Sequence, residues 1–184
     1  MNENVDAYAI LNKSHEIISK QEINKIINRL AKQISYDLRN DFPLVIPVMT
    51  GGLVLAGQLL PLLDFPLQLD YVHVSRYRGA VTGSDHIEWI KKPNNNVDGR
   101  SILLVDDILD EGVTAKAISE TLIKMGACKV LLCVLLDKII NKPKPINAKY
   151  IGSLVENQYV FGFGMDIKNL WRNLTSIYVY KENG

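Results

Sequence analysis

Cysteine and histidine are scarce in this sequence, which limits the metal and disulfide chemistry it can carry. The 184 residues include two cysteines and three histidines. Cys128 and Cys133 lie five positions apart around one apolar run, so a strand would place them on opposite faces, and no histidine lies nearby. A disulfide and a zinc site are therefore not predicted, and both cysteines are expected to be reduced core thiols.

The sequence also lacks an excess of charge and a long hydrophobic run. Its 21 Lys/Arg and 20 Asp/Glu leave a net charge of +1, which argues against binding nucleic acid or an anionic membrane through bulk charge. No apolar stretch approaches membrane-spanning length, and the first residues, MNENVDAYAILNKSHE, do not form a signal-peptide pattern. The expectation is a cytoplasmic protein without a nucleic-acid or membrane partner.

Enough apolar material is present for one full core, since 47% of the residues are hydrophobic and 22% are charged. Ser19 and Glu22 form a capping-box pattern before an amphipathic helix that extends to Leu38. Further helices are predicted at 53–60 and 114–125, a loop at 76–84, and strands at 44–49, 67–75, 86–91, 102–105, 130–136, 150–154, 159–163 and 176–180. The alternation of apolar strands with helices predicts a doubly wound, mostly parallel α/β sheet.

Acidic residues are concentrated directly after the apolar run ILLV at 102–105. Four of the six residues from Asp106 to Glu111 are acidic, and Gly112 and Thr114 follow at the start of a predicted helix. A glycine and a hydroxyl at a helix start suit a phosphate, whereas adjacent carboxylates suit sugar hydroxyls or hydrated Mg²⁺. The pattern therefore indicates a phosphorylated sugar bound with magnesium. The alternative is a solvated loop whose acidic residues have no role except to stabilise the N-terminus of the following helix.

The stretch ILLVDDILDEGVT at 102–114 resembles the phosphoribosyl-pyrophosphate motif of type I phosphoribosyltransferases. Four further segments narrow the resemblance to the hypoxanthine-guanine phosphoribosyltransferases: MTGG at 49–52, LLDK at 135–138, YVFG at 159–162, and MD at 165–166 with WRNL at 171–174. The resemblance covers residues 42–180. It implies one domain over 1–184 with the type I phosphoribosyltransferase fold and a small hood subdomain, built from the N-terminal segment and residues 140–184.

The resemblance implies roles for individual residues. Asp110 would accept a proton during attack on the sugar, Lys138 would read the purine 6-oxo group, and Tyr159 would stack on the purine. The other residues expected to bind substrate are Thr50, Gly51, Tyr77, Asp106, Asp107, Glu111, Gly112, Val113, Thr114, Val160, Met165 and Arg172. Those expected to serve Mg²⁺ are Asp106, Asp107 and Asp166. On spacing alone, Lys138 is also compatible with a solvated lysine and Tyr159 with an ordinary core aromatic residue.

Four residues in three segments depart from the family pattern. Glu111 replaces a threonine of the phosphate loop, so its side chain must point away from a bound phosphate. Arg76 replaces a serine at the start of the expected lid over residues 76–84, and Met49-Thr50 replaces Leu-Lys in the pyrophosphate loop.

The implied activity is conversion of hypoxanthine or guanine and phosphoribosyl pyrophosphate to IMP or GMP and pyrophosphate, with Mg²⁺ as cofactor, by a homodimer or homotetramer. One alternative is a xanthine-preferring phosphoribosyltransferase. A second is a transcriptional regulator on the same fold that binds phosphoribosyl pyrophosphate; the retained Asp110 and the absence of a strongly basic face argue against it. The third is an acidic magnesium site on a receiver-like α/β domain, which the additional matches at Gly51 and Arg172 disfavour.

Overall fold

The computed structural model describes residues 3–76 and 87–181. The helices are α1 (Glu3–Asn12), α2 (Lys20–Leu38), α3 (Gly52–Leu59, continued by a 3-10 turn at Leu60–Leu62) and α4 (Val113–Lys124). The strands are β1 (Ser14–Ile18), β2 (Leu44–Met49), β3 (Gln68–Leu69), β4 (Val72–Arg76), β5 (Ile87–Lys91), β6 (Ser101–Leu109), β7 (Lys129–Lys138), β8 (Tyr150–Val155), β9 (Val160–Phe161) and β10 (Ile177–Tyr180).

The central sheet has the strand order β5-β4-β2-β6-β7-β8, with β3 paired separately to β2. All of its pairings are parallel except that of β4 with β5. Helices cover both faces: α2 and α3 pack on one side with Leu103 and Val105, and α4 packs on the other with Ile102 and Leu104. This double cover explains why the run ILLV has no polar alternation. The predicted doubly wound, mostly parallel sheet is confirmed.

The amphipathic helix begins as predicted. The Ser19 side chain accepts a hydrogen bond from the Glu22 backbone N–H, and the Glu22 carboxylate accepts one from the Ser19 backbone N–H, so the capping box is complete. The apolar stripe of α2 is buried against the sheet. Within the described residues, no helix is both long and apolar enough to cross a membrane.

Pro47 lies in β2, a central strand, although proline is normally confined to sheet edges. On one side β2 pairs continuously with β6, and on the other it pairs with β3 at Leu44 and Val45 and with β4 at Val48 and Met49. Pro47 therefore lies between the β2 residues that pair with β3 and those that pair with β4. A missing N–H is tolerated at such an interruption of the ladder.

The prediction that Cys128 and Cys133 are both core thiols is wrong for one of them. Neither forms a disulfide, but Cys128 is exposed just before β7, whereas Cys133 is buried within it. Burial raises the pKa of the Cys133 thiol to about 12, so this group stays protonated and inert.

The prediction of a single strand over residues 67–75 is wrong. The extended segment is interrupted at Asp70, between β3 and β4. The Asp70 carboxylate accepts hydrogen bonds from the backbone N–H groups of Tyr71, Asn94 and Asn95, and from the Lys91 ammonium at 2.9 Å. Burial by itself would raise the pKa of Asp70, but these hydrogen bonds lower it to about 2. The spacing of apolar residues in the sequence does not indicate hydrogen bonds of this kind between a side chain and distant backbone groups.

Asp70→Asn is expected to reduce the free energy of unfolding by about 2 kcal/mol at pH 7. Because the pKa of Asp70 is lowered to about 2 in the folded state from 3.8, its stabilisation is complete above pH 4 and is lost as the pH falls towards 2. Urea unfolding from pH 7 to 2 measures this, and the two proteins should converge at the acidic end. Asp64→Asn, at a side chain 76% exposed, is the matched control. A constant difference at every pH would contradict the electrostatic explanation.

A second, antiparallel sheet has the order β1-β10-β9 and joins the two ends of the described chain. Ile10 of α1 packs there with Phe161 and Ile167 in a separate apolar cluster. Trp171 donates a hydrogen bond from its indole N–H to the Ala7 carbonyl at 3.0 Å. The C-terminal segment is therefore held by the N-terminal one.

Candidate active site

Polar side chains collect where three neighbouring parallel strands end. β2, β6 and β7 are adjacent in the sheet, so their carboxyl ends meet at one edge. Thr50 and Gly51 follow β2, Asp110 follows β6, and Lys138 is the last residue of β7. The structure thus brings together three of the segments that the sequence singled out.

β6 is longer than predicted, because it continues beyond Val105 to Leu109. The ladder with β7 includes Asp106 opposite Val134 and Leu109 opposite Asp137. The acidic pair therefore belongs to a rigid strand and not to the loop after it. Charged residues usually mark the end of a buried strand, and this one keeps its backbone pairing beyond the point where its side chains turn polar.

Gly51 packs directly against the carboxyl group of Asp107. A Cβ atom at Gly51 would lie 2.0 Å from Asp107 Oδ2, and one at Gly52 would lie 2.4 Å from the Val105 carbonyl oxygen. A Cβ at Gly164 would in turn lie 2.3 Å from the Gly51 carbonyl oxygen. The chain at Gly51 and Gly52 approaches β6 so closely, and the chain at Gly164 approaches Gly51 so closely, that only glycine fits at these positions. The peptide bond between Met49 and Thr50 is cis.

The adjacent carboxyl groups of Asp106 and Asp107 interact, with Asp107 buried and Asp106 partly buried. The Asp107 backbone N–H donates to Asp106 Oδ1 at 2.9 Å, and the Ile108 N–H donates to Asp107 Oδ1 at 2.7 Å. Burial and the neighbouring Asp107 charge raise the pKa of Asp106 well above its usual range. Burial also raises the pKa of Asp107, although the Arg172 charge acts in the opposite direction. Hydroxyl donors or a cation beside this pair would stabilise its ionised form.

The loop after β6 leads into α4 with the geometry expected of a phosphate site. Gly112 adopts a left-handed conformation with φ of 81°, and α4 begins at the next residue, Val113. The first-turn N–H groups of a helix lie outside its internal hydrogen-bond ladder and favour anions. Glu111, the departure from the family pattern, is held at 2.6 Å by the Lys142 ammonium. Its carboxylate is therefore engaged by the 139–149 connection.

Lys138 and Asp110 form an ion pair across the ends of β7 and β6. Lys138 Nζ lies 2.8 Å from Asp110 Oδ2. The lysine side chain is 12% exposed, whereas the aspartate is 50% exposed. The alternative that Lys138 is a solvated surface lysine is therefore wrong: its stem is buried and its charge is directed at the acid expected to accept a proton.

Asp166 and Arg172 form the third part of the site. Arg172 Nη2 lies 2.5 Å from Asp166 Oδ1, and Arg172 Nη1 donates to the Gly164 carbonyl at 2.6 Å. Tyr159, 55% exposed, donates from its hydroxyl to the Asp166 carbonyl at 3.2 Å. Partial burial and the Asp166 charge raise the pKa of this hydroxyl, so it remains a donor. A largely exposed ring is available for stacking, which ordinary core packing would not leave.

Val160 and Met165 occupy the segment expected at the purine edge, but their side chains are buried in the main core at 7% and 4% exposure. Their side chains are therefore not available to contact a ligand at this edge. Tyr77, expected in the lid over residues 76–84, lies outside the described residues.

The three carboxylates expected to serve magnesium do not form one ligand set. No group of three or more histidine, cysteine or acidic side chains that could hold a metal ion occurs within residues 3–76 and 87–181. Asp166 is engaged by Arg172 and by the Asn169 backbone N–H instead. Asp106 and Asp107 still fit Mg²⁺, which is commonly held by one or two carboxylates together with substrate oxygens and water.

Sequence reasoning missed the contribution of two lysines in the 139–149 connection. Lys142 binds Glu111, and Lys144 donates to the Leu109 carbonyl and to the Asp137 carboxylate. The available signal was the run of lysines after Lys138, which by itself is typical of a solvated face.

The doubly wound, mostly parallel sheet is that of the type I phosphoribosyltransferases. Residues 14–168 match the family described as "Phosphoribosyl transferase domain", and the chain belongs to this family.

Individual relatives agree with this assignment. The chain is 32% identical over 165 residues to the hypoxanthine-guanine phosphoribosyltransferase of Bacillus subtilis, covering 90% of this chain and 92% of that protein. Among solved structures, it is similar to a hypoxanthine phosphoribosyltransferase from Staphylococcus aureus, with a TM-score of 0.88, 26% identity and coverage of 94% and 95%. A hypoxanthine-guanine-xanthine phosphoribosyltransferase is similar at a TM-score of 0.78 and 31% identity, with coverage of 91% and 94%.

Proposed function

We infer that this protein is a purine-salvage phosphoribosyltransferase, which converts hypoxanthine or guanine and phosphoribosyl pyrophosphate to IMP or GMP and pyrophosphate. Membership of the phosphoribosyltransferase family and the names of its relatives support the activity. The observation that carries the choice of base is the pairing of Lys138 with Asp110 at the sheet edge.

The Lys138–Asp110 pair matches the edge of a 6-oxopurine. The 6-oxo oxygen and N7 are neighbours on one side of the ring system, and they require a donor and a group that accepts or shares a proton. Lys138 Nζ and Asp110 Oδ2 lie 2.8 Å apart, so they can engage these adjacent atoms together. A 6-amino group would place a donor against the lysine, which leaves both groups unpaired and disfavours adenine.

The remaining parts of the site suit the phosphorylated sugar. The Asp106 and Asp107 carboxylates would accept hydrogen bonds from the ribose hydroxyls. The backbone N–H groups of Glu111 to Thr114 would surround the 5-phosphate. Thr50, Gly51 and Arg172 would bind the pyrophosphate. As N9 forms its bond to C1 of the sugar, the bond to pyrophosphate breaks and the proton at N7 passes to Asp110.

Magnesium is assigned to the same region. Asp106 and Asp107 would hold it together with oxygens of phosphoribosyl pyrophosphate, and the bound ion would neutralise charge on the departing pyrophosphate. Asp166 would act through Arg172 and not as one member of a three-carboxylate set.

The assignment also includes features beyond the reaction. We assign the hood of a one-domain protein covering 1–184 to the second sheet, whose strands come from both ends of the described chain. Assembly as a homodimer or homotetramer and a cytoplasmic location complete the proposal.

The deciding experiment supplies purified protein with phosphoribosyl pyrophosphate, Mg²⁺ and one base at a time: hypoxanthine, guanine, xanthine or adenine. IMP and GMP should form, adenine should be a poor substrate, and chelation of Mg²⁺ should stop turnover until the ion is restored. Xanthine is included because a relative with 31% identity is named for it. If only xanthine gives a product, a xanthine-preferring enzyme is favoured. If no base gives a product and the protein shifts nucleic acid in a gel in a manner that depends on phosphoribosyl pyrophosphate, the regulator is favoured.

Lys138→Met is expected to lower kcat/KM for hypoxanthine by about 10- to 100-fold and to reduce discrimination against adenine, because a charged hydrogen bond to the 6-oxo group is lost. Competition between the two bases measures both effects. Lys149→Met, at a side chain 57% exposed, removes a charge from the following connection and should behave as wild type. Unchanged base preference in Lys138→Met would remove the role assigned to this lysine.

A further inference from the structure

Lys144 bridges the ends of β6 and β7, next to the two residues proposed to contact the base. Its ammonium donates to the Leu109 carbonyl at 2.6 Å and to the Asp137 carboxylate. The Lys144 side chain is 11% exposed and that of Asp137 is 20% exposed. A mostly buried lysine with two partners on different strands is not a typical surface ion pair.

The sheet register gives this bridge its significance. Leu109 and Asp137 are opposite one another in the parallel ladder of β6 and β7. The residue after Leu109 in the chain is Asp110, and the residue after Asp137 is Lys138. Lys144 therefore clamps the last paired rung directly below the Lys138–Asp110 pair.

The same connection contacts the phosphate loop at neighbouring points. Lys142 holds Glu111, and a Cβ atom at Gly112 would lie 3.3 Å from both Pro145 and Ile146. The 142–146 segment thus covers the 111–112 turn while Lys144 ties it to the strand ends. A cover held at several points in this way restricts movement of the loop beneath it.

We propose that Lys144 is a positioning residue that holds Asp110 and Lys138 at the spacing required by the 6-oxopurine edge. It does not touch the base, and it acts through the Leu109 carbonyl and the Asp137 carboxylate. The kinetic part of this inference rests on the proposed function, whereas the clamp itself is a property of the folded chain.

The test compares wild type, Lys144→Met, Lys144→Arg and the control Lys149→Met. In Lys144→Met, KM for hypoxanthine should rise and kcat should fall, with kcat/KM reduced by about 10-fold or more, since small misplacements of catalytic groups carry such costs. Lys144→Arg should recover most of the loss, because it restores a donor of similar length. In an Asp137→Asn background, Lys144→Met should cost less than in wild type.

Hydrogen–deuterium exchange tests the clamp without turnover. Exchange in segments 108–114 and 136–140 should be faster in Lys144→Met than in wild type and unchanged in Lys149→Met. Unaltered exchange overturns the clamp, even if wild type proves inactive and the proposed function fails. If exchange is faster in Lys144→Met but its kcat and KM for the base equal those of wild type, the positioning role is overturned. The positioning role is also overturned if the loss of activity equals the decrease in the fraction of folded protein.

Discussion

Asp110→Asn is expected to lower kcat by about two to four orders of magnitude while the protein folds normally. Asparagine keeps an oxygen that can accept a hydrogen bond from Lys138, but its neutral amide cannot take up a proton from the purine. The Asp110 side chain is 50% exposed, so the substitution creates no cavity, and the amide oxygen keeps a hydrogen-bond partner for the largely buried Lys138. Steady-state rates at saturating base and phosphoribosyl pyrophosphate measure the loss, and thermal unfolding verifies the fold.

Glu120→Gln supplies a matched loss of one negative charge in the following helix, at a side chain 55% exposed, and it should leave kcat unchanged. Because Asn and Asp are nearly the same shape, KM for hypoxanthine should change far less than kcat in Asp110→Asn. Wild-type turnover in the variant would show that Asp110 does not accept the proton. A rise in KM alone would instead assign it to binding.

Gly51→Ala is expected to lower kcat/KM for phosphoribosyl pyrophosphate by about 100-fold or more, because displacing catalytic groups by about 1 Å has effects of this size. The added Cβ would lie 2.0 Å from Asp107 Oδ2, so either the carboxylate or the 49–52 loop must move. Steady-state kinetics with the sugar substrate varied measure the loss, and calorimetry of the same preparations measures the change in stability.

Gly57→Ala is the control for adding a methyl group nearby in the chain. Gly57 lies within α3 and a Cβ there would meet no atom within 4 Å. This change should leave the kinetics intact and should stabilise the protein by about 0.5–1 kcal/mol through helix propensity. Normal use of phosphoribosyl pyrophosphate by Gly51→Ala would show that the close approach to Asp107 is not needed for the site.

Much of the fold could be predicted because its signals are local. The capping box at Ser19 and the apolar run at 102–105 each depend on residues close together in the chain, and both were confirmed. The predictions that failed depend on distant partners. Asp70 interrupts a strand because Lys91 and the 94–95 turn contact it, and Cys128 is exposed just before β7 instead of lying within it.

The candidate site divides in the same way. The acid-rich segment, its glycine and the following helix could be located from residue types alone, because carboxylate acceptors followed by a glycine and a helix N-terminus form a local pattern that suits a sugar phosphate. The engagement of Asp166 by Arg172 and the withdrawal of Val160 and Met165 into the core could not, because chain packing decides which side chains face a ligand.

By itself, the sequence determined the class of sheet and the strand end at which the candidate site was expected. Only the tertiary structure decided which charges meet. The lysines at 138, 142 and 144 form one basic run in the sequence, yet they pair with Asp110, Glu111 and Asp137 respectively. The parallel register of β6 and β7 and the path of the connection after them set these pairings, and neither is encoded in local spacing.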